Sequence, residues 1–111
     1  MTTTEFHGYV TDCLSRIGEF KTKKMMGEYC LYYKGKLVGD ICDNRVLVKR
    51  TPTSDRMLSD MPLEYPYEGS KQLMYVLDDM ENTEKMKELF DGVYSELPIK
   101  KSKQGNAANL V

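Results

Sequence analysis

At 111 residues, with 41% apolar and 30% charged side chains and a net charge of −1, the chain has the size and composition of one globular domain. No apolar run approaches the roughly 20 residues of a membrane span. The opening "MTTTEFHGYV" has no basic segment leading into an apolar one, so no secretory signal is expected and the cytoplasm is the default location. Charge is uneven: residues 21–56 hold nine basic and four acidic side chains, residues 57–99 three and ten. Such asymmetry can steer an anionic partner, but two solvated faces of opposite sign explain it more simply.

The first element is a helix. Phe6, Tyr9, Val10, Cys13, Leu14 and Ile17 recur at the spacing of one apolar stripe, with Gly18 as a C-cap candidate. From Phe20 the period falls to two. Strands are expected at Phe20 to Met26, Tyr29 to Tyr33, Leu37 to Cys42 and Arg45 to Lys49, with tight turns at Lys34-Gly35 and Asp43-Asn44. If both hairpins are regular, Cys30, Tyr32, Leu37, Gly39, Ile41, Val46 and Val48 share one face. Tyr29, Leu31, Tyr33, Val38, Asp40, Cys42, Arg45, Leu47 and Lys49 then share the other. The first set is nearly free of charge and is expected to meet the helices.

"TPTSDRMLSDM" predicts a short helix over Ser54 to Asp60, capped by Thr51 or Thr53. "PLEYPYEGSK" reads as an irregular connection. "QLMYVL" predicts a fifth strand, Gln72 to Leu77, apolar enough to need cover on both faces. Met86, Leu89, Phe90, Val93, Tyr94 and Leu97 form a second helical stripe, capped by Asn82 or Thr83. The expected fold is α+β in two layers: a five-stranded antiparallel sheet with two amphipathic helices on one face and one short helix. The domain is expected over residues 1–99, with a disordered basic tail over residues 100–111.

Little of this carries chemistry. Cys13, Cys30 and Cys42 lack CxxC spacing and His7 is the single histidine, so no metal site or cofactor is expected and the thiols read as reduced. Regular hairpins would place Cys30 and Cys42 on opposite faces, with no disulfide between them. His7 lies off the apolar stripe with no nucleophile beside it in sequence. The acidic run Asp78, Asp79, Glu81 and Glu84 reads as a solvated turn at a helix N-terminus. No catalytic residues are expected, and the chain is read as a non-enzyme.

The surface singled out for function is the second sheet face. Tyr29, Tyr33, Arg45 and Lys49 are expected as neighbours there, with Lys34 and Lys36 at a hairpin tip. Tyrosine with arginine suits a protein partner, a homodimer among them. A small ligand or nucleic acid is the second choice, the latter because aromatics among basic residues stack bases and neutralise phosphates; no membrane partner is expected. A folded-back "PLEYPYEG" segment or a second subunit is expected to cover that face.

"KKMMGEYCLYYKGKLVGDICDNRVLVK" also resembles the signature of the TfoX/Sxy N-terminal domain family. The resemblance rests on Lys24, Met25, Met26, Gly27, Tyr29, Tyr32, Gly35, Lys36 and the strand Val46 to Lys49. "PLEYPYEGSKQLMYVLDD" is similar to the second half of the short, single-domain members, so the likeness runs from about Glu5 to Pro98. It implies a two-layer α/β fold, a regulatory role and, for long members with a further C-terminal domain, control of competence genes. It supplies no catalytic residues.

Overall fold

The computed structural model describes residues 1–98; the tail expected over residues 100–111 lies outside the described residues. The elements run α1 (Thr4–Ser15), β1 (Phe20–Met25), β2 (Glu28–Tyr33), β3 (Lys36–Cys42), β4 (Arg45–Val48), α2 (Pro52–Met57), β5 (Leu63–Glu64), β6 (Met74–Leu77) and α3 (Thr83–Glu96). All strands join one antiparallel sheet in the order β1-β2-β3-β4-β6-β5. The sheet thus has six strands where five are expected, because Leu63 and Glu64 of the irregular connection pair with Tyr75 and Met74.

Local chemistry sets the ends, with the Thr51 and Asn82 caps as expected, but α1 ends at Ser15 with Arg16 as its C-cap, two residues before the expected Gly18. Thr3 caps α1 by accepting from the Phe6 amide, and Asn82 caps α3 by accepting from the Lys85 amide. Thr51 and Ser54 form a reciprocal capping box at α2, which begins at Pro52, earlier than the expected Ser54. All three turns of the β1–β4 meander use left-handed backbone: φ is 53° at Met26 and 85° at Gly27, 51° at Lys34 and 87° at Gly35, then 54° at Asp43 and 56° at Asn44.

The core lies between the sheet and the helices. Val10, Cys13, Leu14 and Ile17 of α1 and its C-terminal turn, with Met86, Leu89, Phe90 and Val93 of α3, pack on Ile41, Val46 and Val48, as the paired stripes require. The expectation for β2 is overturned. Leu31 and Tyr33 lie in this core and Tyr29 packs against it, while Cys30 and Tyr32 point away. The cause is a β-bulge. Tyr32 pairs with Leu37, but Leu31 pairs with Gly39, so Val38 is an extra residue that shifts the register by one. A one-residue shift turns every side chain of the partner strand to the other face. Val38 itself is buried in the helix-side core, and its carbonyl accepts from the Lys49 amide at 2.9 Å.

The flip gives Tyr33 its role. Its ring stacks on Phe20 at 4.4 Å between centroids, and its hydroxyl donates to Asp91 Oδ1 at 2.5 Å, tying β2 to α3. Burial, helped by Asp91, pushes the Tyr33 phenol up to about 12, and the same hydrogen bond holds Asp91 below the usual carboxylate range. Tyr33 therefore adds stability that is whole below the ordinary tyrosine value of about 10 and is lost as pH rises toward about 12. The Asp91 part is whole above the ordinary aspartate value of about 4 and is lost as pH falls through the lowered one. Tyr33→Phe is expected to cost about 1–3 kcal/mol at neutral pH. In urea melts from pH 3 to 11, its penalty should shrink toward both extremes; a pH-independent penalty would refute the linkage.

Candidate functional site

The second face of the sheet holds a small cluster of its own: Cys42, Leu47 and Met74 are buried there, with Val76 packed against them. The connection between β5 and β6 folds back across it, as one of the two expected covers. Arg45 holds this strap: Nη1 donates to Glu64 Oε1 at 2.7 Å and to the Tyr65 carbonyl at 3.3 Å, and Nη2 donates to the Pro66 carbonyl at 3.0 Å. Pro66 is buried beneath. The cover is incomplete. Between the strap and the β1–β2 hairpin lies a groove of about 730 Å³, within the usual size of ligand sites.

Its floor is Cys30, Leu37, Gly39, Asp40 and Cys42, and its walls carry Met25 and Met26 on one side and Tyr67 and Lys71 on the other. Met26 is 98% and Tyr67 58% exposed, so both walls carry large apolar side chains standing in solvent. Burial raises the Asp40 carboxyl above its ordinary value, against the pull of Lys49 diagonally across β4. Burial likewise raises both thiols, with Cys42 reaching about 12 and Asp40 adding to each. At Glu28 burial works against the charge, but bonds from the Thr2 hydroxyl at 2.6 Å and the Asp43 amide at 3.2 Å outweigh it.

The six residues expected to form one patch are divided between the two faces. Tyr33 is fully buried, and Tyr29 is stacked on His7 at 3.8 Å on the helix side. Lys36 Nζ donates to the carbonyls of Tyr94 and Leu97 at 2.8 and 2.9 Å, where it caps the end of α3. Lys34 stands 5.1 Å from the Tyr33 ring and 4.0 Å from Asp91. Arg45 and Lys49 alone face the strap side, one as its clamp and the other lining the groove. Sequence reasoning missed Asp40, Cys30 and the methionines as one site. The available signal was Gly39, a glycine inside a strand, which marks bulges and close backbone approaches.

His7 Nε2 contacts the Thr22 hydroxyl at 2.9 Å, and among the described residues no group of three His, Cys, Asp or Glu side chains is placed to hold a metal ion. Cys30 and Cys42 share the groove floor, contrary to the expected opposite faces, because the bulge moves Cys30 across. They are diagonal neighbours and both are free. Diagonal pairs lie about 7–8 Å apart, beyond comfortable disulfide reach. Native thiol titration is therefore expected to detect Cys30 first, with Cys13 and Cys42, each 3% exposed, reacting only on unfolding. A native disulfide would contradict this.

The TfoX N-terminal domain family matches residues 12–96. The chain belongs to that family. It is also similar to an uncharacterised 12.7 kDa protein in the trpE 5′ region of Spirochaeta aurantia, with 28% identity over 103 residues, 93% of this chain and 90% of that protein. In this TfoX N-terminal domain the matched segment includes the bulge, the strap and the whole groove floor. No helix among the described residues is long and apolar enough to cross a membrane.

Proposed function

We propose that this TfoX N-terminal domain is a non-enzymatic regulatory module of the cytoplasm, and that it works by holding a protein partner in the groove on the open face of its sheet. One observation carries the reading: the groove is walled by exposed methionine and tyrosine side chains over a floor that the strap leaves uncovered. Flexible methionines adapt to varied apolar surfaces, and tyrosine is favoured at interfaces. The resemblance to competence regulators points to an output in gene expression.

The test is affinity capture from the native host with the parent and with Tyr67→Glu, followed by mass spectrometry. Tyr67 is 58% exposed, so the substitution should leave the melting temperature unchanged. A partner retained by the parent and lost from the variant is expected. Equal retention would place the working surface elsewhere.

A second reading has its own observation. Lys21 pairs across β1–β2 with Tyr32, and Lys23 and Lys34 line the same shallow depression. Nucleic acid bound there would lose affinity steeply between about 50 and 200 mM salt. No binding at low salt would dismiss it.

A further inference from the structure

We propose that the groove recognises an apolar segment of a partner protein that places one lysine or arginine side chain on Asp40. This rests on the groove being the working surface, and it specifies the chemistry of what enters.

Asp40 sets the chemistry of the groove floor. The bulge and the alternation of β3 place it on the open face, opposite Cys30 on β2 and Leu47 on β4. Its neighbours on the floor are thiols and apolar side chains. Glu28, the other carboxylate of the lining, is satisfied by Thr2 and the Asp43 amide. Asp40 has no comparable donors: no hydrogen bond to its carboxylate and no ion pair within 4.0 Å is formed among the described residues.

Cations do line the groove. Lys49 draws Asp40 toward its charged form, and Lys71 stands on the strap. Burial nevertheless outweighs Lys49, so the carboxylate is held under-compensated. A cation carried in by a ligand would correct that. Its flanking apolar atoms would meet Met25, Met26, Leu37 and Tyr67.

The exposure of the walls selects the kind of occupant. A pocket built for a small metabolite buries most of it, whereas Met26 at 98% and Met25 at 51% exposure stand as open rails. Long lysine and arginine shafts lie along apolar surface while their heads reach a polar partner. A polypeptide segment combines both features.

The experiment is selection of a random-sequence decapeptide library on the immobilised full chain, on Asp40→Asn and on the groove-blocked variant Leu37→Arg. Circular dichroism melts first establish that each variant is folded. Asp40→Glu serves as the conservative control. The expected result is enrichment on the parent of apolar peptides carrying a lysine or arginine. Their affinity should fall about tenfold on Asp40→Asn, the equivalent of about 1.4 kcal/mol, and recover in part on Asp40→Glu. Apolar peptides enriched equally on the parent and Asp40→Asn, without a basic residue, would overturn the charge recognition and leave the groove as the working surface. Peptides retained equally by Leu37→Arg, or none enriched on the parent, would overturn both.

Discussion

Gly39→Val is expected to leave little folded protein. Gly39 pairs with Val48 where β3 and β4 approach closely, and a Cβ on Gly39 would fall on the carbonyl oxygen of Leu47, with the Leu47 carbonyl carbon and Val48 Cα each at 3.1 Å. All three atoms are backbone of β4 residues paired on both sides, so none can rotate away. Relief would require breaking the Gly39–Val48 and Asp40–Leu47 pairs, which hold both the core face and the groove floor. The expected loss is about 4 kcal/mol or more, in the range reserved for forced overlaps, and a domain of this size has only about 5–15 kcal/mol to lose. Gly39→Ala should lose nearly as much, since the first carbon makes the collision. Gly8→Ala is the control, because nothing lies within 4 Å of its Cβ position. Urea denaturation would check it: a Gly39→Ala midpoint close to the parent's would show that the strands can separate there without cost.

Phe90→Ala comes next in size. Phe90 is fully buried near the centre of α3 and meets Phe20 edge to face at 5.0 Å and Tyr33 at 6.2 Å. It therefore joins α3, β1 and β2 at one point, where neighbours on three elements cannot all close on a void. Truncation is expected to cost about 3–5 kcal/mol, and Leu14→Ala on α1 about 2–5 kcal/mol. Tyr9→Ala should cost far less, since Tyr9, expected on the apolar stripe of α1, stands at its edge and is 44% exposed. A Phe90→Ala loss below about 0.5 kcal/mol would mean that α3 does not pack as described.

These two residues also mark how far sequence reasoning reaches. Phe90 was legible because helical period and sheet cover concern one element at a time. Both stripes, both left-handed turns and the caps at Thr51 and Asn82 follow from residues close together in the chain. Gly39 was legible only as an anomaly. A glycine within a strand signals either a bulge or a close approach, and here it serves both, but nothing local tells on which side the extra residue falls.

The alternation pattern and the turn residues, read alone, determined an antiparallel α+β domain with helices over Ile41, Val46 and Val48. They held the signature of the TfoX N-terminal domain family as well. Tertiary structure alone decided which side of β2 is buried, and with it the site. A regular hairpin puts Tyr29 and Tyr33 on the open face beside Arg45 and Lys49. One inserted residue at Val38 sends both tyrosines into the helix-side core and brings Cys30 opposite Asp40. The strap is decided the same way, since its anchor is Arg45, reached from Glu64 and Pro66 across about twenty residues of chain. Period-two patterning has no memory of register. A single-residue shift costs one backbone irregularity and reverses a whole strand, and the better burial of Leu31 and Tyr33 is what selects it.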